Sequence, residues 1–165
     1  VVLPGGFQVL LEQKRAIFMP RDRMPDRPPR TSQVLRVPGE TDTGKGCYRF
    51  SARYLSCSNA AVHLRAGKGR EVYFDAARLR FPLQVRFRRP ADRINPFGMT
   101  GTRRVKKVLI DARIPASERD RLPLVCSGKT IIWIPGVLRS AMAPVTSKTR
   151  KVLCLNVVPG PGSAL

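Results

Sequence analysis

The apolar positions of this chain come in short runs, and for most of its length they alternate with polar ones. Tyr48, Phe50, Ala52 and Tyr54 alternate with Arg49, Ser51 and Arg53, the period of two expected of a strand buried on one face. Runs at 34–37, 61–64 and 71–74 have similar character and are separated by glycine-bearing turns. Upstream, 7–11 and 16–19 predict a hairpin that leaves a Leu3-Pro4-Gly5-Gly6 turn and breaks at the polar residues 12–15. Downstream, 83–88 sets Val85 and Phe87 on one face and Arg86 and Arg88 on the other. The apolar runs 124–126, 130–134 and 152–155 predict further strands, with Ser127-Gly128-Lys129 as a tight connection and Trp133 in the core.

The period changes clearly once. Val105, Val108, Leu109 and Ala112 fall at i, i+3, i+4 and i+7, so a short helix is expected there, capped by Thr100 or Thr102 and ended by Pro115. Arg103, Arg104, Lys106 and Lys107 lie off that stripe. Lesser helical turns are expected at 75–79, with Asp75 as cap, and at 117–121. The predicted fold is therefore α+β and β-rich, a mixed sandwich-like domain with one short basic helix. Residues 1–32 form the hairpin and a Pro/Arg-rich linker, 33–158 the domain, and 159–165 a disordered tail.

Charge adds a partner to this picture. Among 165 residues, 31 Lys/Arg against 11 Asp/Glu give a net charge of +20, an excess that points to a polyanion, most often nucleic acid. Residues 85–125 hold eleven of the cations against four acids, arranged around the Gly98 and Gly101 turn. Phe97 is either a stacking residue or a plug that anchors this turn. Asp92, between Arg89 and Arg93, is expected to form a local ion pair and a turn.

Candidate chemistry narrows the reading further. Cys47, Cys57, Cys126 and Cys154 make no CxxC pair and His63 is the single histidine, so reduced thiols near a core are expected rather than a metal site. Gly39–Lys45 satisfies GxxxxGK, yet Gly46 follows where a phosphate-binding loop needs Ser or Thr, and a strand follows where it needs a helix. A hairpin is expected there. No catalytic triad, carboxylate pair or metal cluster is readable, so the sequence supports binding and no catalytic residue is assigned. No apolar run reaches membrane-spanning length, and the chain is expected to be cytoplasmic. Val1 in place of Met predicts a piece of a longer protein.

Five ordered blocks carry a resemblance. Phe87-Arg88-Arg89-Pro90-Ala91-Asp92-Arg93, Pro96-Phe97-Gly98-Met99-Thr100-Gly101-Thr102-Arg103-Arg104-Val105-Lys106-Lys107, Ile110-Asp111-Ala112-Arg113-Ile114-Pro115, Arg119-Asp120-Arg121-Leu122-Pro123-Leu124 and Ile132-Trp133-Ile134-Pro135-Gly136 resemble the C-terminal region of tRNA(Ile)-lysidine synthetases. Ala91 stands where that family usually has glycine. The resemblance implies a β-rich domain also seen in the phenylalanyl-tRNA synthetase β subunit. It also implies a tRNA-binding role: holding the acceptor stem of the isoleucine tRNA with a CAU anticodon, while a separate N-terminal ATP-pyrophosphatase domain attaches lysine to the wobble cytidine. ATP and Mg would belong to that domain, whose SGGxDS-type loop is absent here, leaving this chain without a cofactor and inactive alone. The implied partners are the tRNA and the catalytic domain, with a homodimer left open.

The residues expected to meet RNA are Arg88, Arg89, Arg93, Gly98, Gly101, Thr102, Arg103, Arg104, Lys106 and Lys107. The side chains would reach phosphates, and the backbone N–H groups of the turn and helix start would cradle one of them. The competing reading is a structural or assembly protein on a large RNA such as rRNA. A membrane-surface module is disfavoured because the helix lacks a Trp/Phe/Leu face.

Overall fold

The computed structural model describes residues 31–43, 48–56 and 69–160 with their side chains, and residues 7–12 and 15–20 as backbone. The expected linker at 21–30, the strand at 61–64 and the end of the tail lie outside the described residues. Strands β1 (Phe7–Glu12) and β2 (Arg15–Pro20) pair antiparallel, as the two apolar runs and the polar break between them predict.

Two sheets make the body. The five-stranded sheet runs β12-β11-β10-β7-β3 and the four-stranded sheet β4-β5-β13-β6. Their members are β3 (Gln33–Val34), β4 (Gly39–Thr43), β5 (Tyr48–Ser56), β6 (Glu71–Asp75) and β7 (Leu83–Phe87), then β10 (Pro123–Ser127), β11 (Thr130–Ile134), β12 (Leu138–Arg139) and β13 (Lys151–Pro159). Inward-facing Phe50, Phe74, Leu153 and Leu155 of one sheet share a core with Leu83, Val85, Val125 and Trp133 of the other. Trp133 is fully buried and meets the Phe50 ring edge-on, at 6.2 Å between centroids and 86° between planes.

The second face of the five-stranded sheet is covered by helix α1 (Val105–Asp111). Leu124, Cys126, Ile131 and Ile134 point to it, so β10 and β11 are apolar on both sides and read as unbroken runs. Val105, Val108 and Leu109 fill this second core. Ala112, the predicted fourth member of the stripe, is exposed because the helix ends first. Arg113 turns left-handed at φ 59°, and the N–H groups of Arg113 and Ile114 donate to the Ile110 and Leu109 carbonyls at 2.9 and 3.0 Å, a Schellman stop. Pro115 therefore does not terminate α1; it is the N-cap of α2 (Ala116–Arg119).

Two other expectations change, and two hold. Of the 34–37 run only Val34 is in a strand, the two-residue β3, because the Arg36 N–H turns to Thr41 Oγ1 at 2.9 Å instead of to the sheet. Strands β12 and the full length of β13 were not readable from apolar runs, since β12 is short and β13 carries Asn156 and the exposed Val158. Gly39–Thr43 is strand β4, antiparallel to β5, so the GxxxxGK stretch begins as a hairpin arm. That is not the strand-to-helix turn in which N–H groups cradle a nucleotide phosphate. Asp75 caps a 3-10 turn, accepting from Ala77 N at 3.0 Å, as expected.

Cys126 and Cys154 are buried free thiols, and burial pushes both up from the ordinary thiol pKa. Among the described residues no helix is long and apolar enough to cross a membrane.

Candidate nucleic-acid interface

The interface is built on the turn after β7. Asp92 accepts both guanidinium nitrogens of Arg86, at 2.7 and 2.8 Å, and the Arg89 backbone N–H at 2.7 Å. Its partial burial favours the neutral acid, but these donors outweigh that and hold the carboxyl below the ordinary carboxylate pKa. Asp92 is thus the turn-forming ion pair the sequence predicts. Ala91, at the corner, has φ 66°. That left-handed conformation crowds a Cβ against the carbonyl, which explains why glycine suits this position.

Beyond the turn, β8 (Arg93–Ile94) pairs antiparallel with β9 (Arg103–Arg104), matching Arg93 with Arg104 and Ile94 with Arg103. The two basic residues expected on the helix therefore precede it in extended backbone. The helix cap also differs: Arg104 occupies the N-cap with no side-chain hydrogen bond, and Val105 N donates to the Asp92 carbonyl at 2.9 Å. Thr102 instead accepts from Arg93 Nη1 at 3.3 Å. The first N–H of the helix is thus used to close the turn.

Those side chains divide by their partners. Arg88 is mostly buried and paired with Asp120. Arg103 reaches Asp111 at 3.6 Å, with both groups nearly half exposed. Arg89, Arg93, Arg104, Lys106 and Lys107 are exposed and form no ion pair among the described residues. Gly98 and Gly101 sit in an exposed turn at φ 75° and 82°, and a Cβ built on either would meet nothing within 4 Å. Glycine is required there by backbone conformation, not by close approach of the fold.

Consecutive β9 residues point to opposite sides and serve two concavities. Arg104 joins Arg88, Arg89 and Lys106 around a groove of about 310 Å³ that is also lined by Pro90, Ala91 and the ion-paired Asp92. Arg103 turns to a second hollow of about 310 Å³, lined mainly by Pro96, Phe97, Met99, Val108, Leu138 and Arg139. The first groove suits a phosphate because cations converge on it and its one carboxylate is already paired.

Arg139 was not singled out by sequence. It is buried, its guanidinium lies 4.7 Å from the centroids of both Phe74 and Phe97, and it donates to the Tyr73, Ser140 and Met142 carbonyls at 2.8, 3.1 and 3.2 Å. Burial pulls its pKa down to about 10, which leaves it charged at neutral pH. Phe97 is neither free nor a core plug: it rests on this cation and stays 43% exposed. The signal available in the sequence was one arginine in the otherwise uncharged stretch 130–147.

A sheet sandwich with a helix-covered second face and a clustered cationic turn makes a basic, β-rich α+β domain, and comparison with known proteins adds a family. Residues 83–154 match the family described as "TilS substrate C-terminal domain", and the chain carries a domain of that family there. The crystal structure of a TilS C-terminal domain superposes with a TM-score of 0.68 at 28% identity, covering 78% of this chain and 96% of that one. A tRNA(Ile)-lysidine synthase of Symbiobacterium thermophilum is 41% identical over 74% of this chain, and that of Caldanaerobacter subterraneus 36% identical over 74%. The Bacillus subtilis protein of the same description is 32% identical over 83% of the chain. The chain spans about a quarter of the length of the first two relatives, 25% and 26%.

Proposed function

We propose that this chain is the tRNA-binding C-terminal part of a tRNA(Ile)-lysidine synthase, gripping the acceptor stem by its phosphates. The observation that carries this reading is the set of exposed cations around β9, namely Arg89, Arg93, Arg104, Lys106 and Lys107, without acidic partners among the described residues. An A-form stem hides its base edges in a deep groove and offers phosphates and 2′-hydroxyls, which such side chains can hold. The RNA is the isoleucine tRNA with a CAU anticodon. Lysine transfer, with its ATP and Mg, belongs to a catalytic domain that works on the same tRNA in the cytoplasm. This chain contributes positioning and takes no cofactor of its own.

The test is a salt titration of binding to isoleucine tRNA with the CAU anticodon, beside an elongator methionine tRNA of the same anticodon. A preference for the isoleucine tRNA that persists as salt rises is the expected result. Equal and steeply salt-dependent binding would reduce the domain to a source of charge. Tighter binding to rRNA fragments would favour an assembly role instead.

A further inference from the structure

The groove of cations accounts for one side of β9, and the hollow on its other side has a different chemistry. Its wall is apolar: Phe97 is 43% and Met99 56% exposed, beside Pro96, Val108 and Leu138. One face of the Phe97 ring is taken by the Arg139 guanidinium at 4.7 Å, so the exposed part is the other face and the edge. Backbone bonds fix the segment that carries this ring, with Phe97 N donating to the Arg139 carbonyl at 3.0 Å and Ala141 N to the Asn95 carbonyl at 2.8 Å. The mouth carries Arg103 and Asp111, 3.6 Å apart and both nearly half exposed. At about 310 Å³ the hollow is at the small end of ligand sites, which span roughly 300–1,000 Å³.

We infer that this hollow receives an unpaired nucleobase continuing from the end of the duplex whose phosphates lie along the other side of β9. This rests on the RNA-binding reading above and adds a second, chemically distinct subsite. A preordered aromatic face and a thioether stack on a base of any identity. Arg103 is placed for the adjoining phosphate, and the Asp111 carboxylate accepts from a base N–H, a role that a purely phosphate-binding surface would not give to an acid. A base at a strand end enters without breaking a pair, whereas one inside the stem would have to be unstacked first.

The experiment compares binding of this chain to a blunt RNA hairpin and to the same hairpin with a short unpaired 3′ overhang, at fixed salt. The overhang is expected to tighten binding roughly five- to hundredfold. Phe97→Leu and, independently, Met99→Ala should each remove most of that gain and leave the blunt hairpin's affinity unchanged. Met99→Ala leaves the Phe97–Arg139 stack intact, so its effect is not one of folding. Equal affinity of the unmodified chain for both RNAs would overturn this inference while leaving duplex binding in place, as would a gain that survives both substitutions. Failure to bind either hairpin would overturn the duplex reading as well.

Discussion

The arginines in and beside the four-stranded sheet and the cations around β9 end in opposite electrical states. On the sheet, Arg49 meets Asp42 at 2.8 Å and Arg53 meets Glu71 at 3.4 Å, and in the 3-10 turn after β6 Arg78 meets Asp75 at 3.7 Å. Around β9 the acids are used differently. Asp92 is consumed by Arg86 and the turn backbone, and Asp120 by Arg88, so Arg89, Arg93, Arg104, Lys106 and Lys107 are left facing solvent. A net charge of +20 states that a polyanion is a suitable partner. Around β9 that charge is left unpaired at the surface. The paired arginines also show that a cation can serve the architecture alone.

Removing the buried frame should break the contrast most severely. Arg139 ties β12 of one sheet to the Tyr73 carbonyl in β6 of the other and supports Phe97. Arg139→Ala leaves three carbonyls without their donor and opens a cavity between aromatic rings, at an expected cost of roughly 3–5 kcal/mol in chemical denaturation. Arg49→Ala, which breaks an exposed pair, should leave the denaturation midpoint unchanged.

Asp92→Ala comes next, because it strands Arg86, whose side chain is 12% exposed, and releases the turn. The expected loss is roughly 2–4 kcal/mol. Since the folded carboxyl sits below the ordinary pKa, its contribution is complete above the unfolded value of about 3.9 and disappears as pH falls through the lower folded value. Urea midpoints followed from pH 7 downward should therefore show an acid-dependent decline in the unmodified chain that is smaller in Asp92→Ala. A superimposable pH dependence would remove Asp92 from this role. The smallest effect is expected at the same corner: Ala91→Gly relieves a left-handed alanine and should raise stability by about 0.5 kcal/mol, the strain relief exceeding the added freedom of the unfolded glycine.

Much of this architecture was legible because its causes are local. The alternation from Tyr48 to Tyr54 fixed the buried face of β5, and the apolar runs around Val125 and Trp133 fixed the shared strands, since both faces of that sheet are covered. The basic turn was likewise readable, and Asp92 was correctly assigned as an ion-pairing turn residue. What stayed hidden depends on contacts distant in sequence. Arg103 and Arg104 looked helical because the periodic stripe starts one residue later; pairing with Arg93 and Ile94 holds them extended. Thr102 looked like a cap, but the Asp92 carbonyl had already taken the first helical N–H. Arg139 gave no periodic signal, and its role exists only where two sheets and the Phe97 loop converge.

The most direct measurement is the salt dependence of RNA binding by two variants of equal charge change, Arg93→Ala with Arg104→Ala and Arg49→Ala with Arg53→Ala. If the β9 face holds phosphates, the first should lower the magnitude of the log–log slope by about 0.7–0.9 per lost contact, and the second should leave it as in the unmodified chain. Equal reductions from both pairs, or none from the β9 pair, would contradict the account.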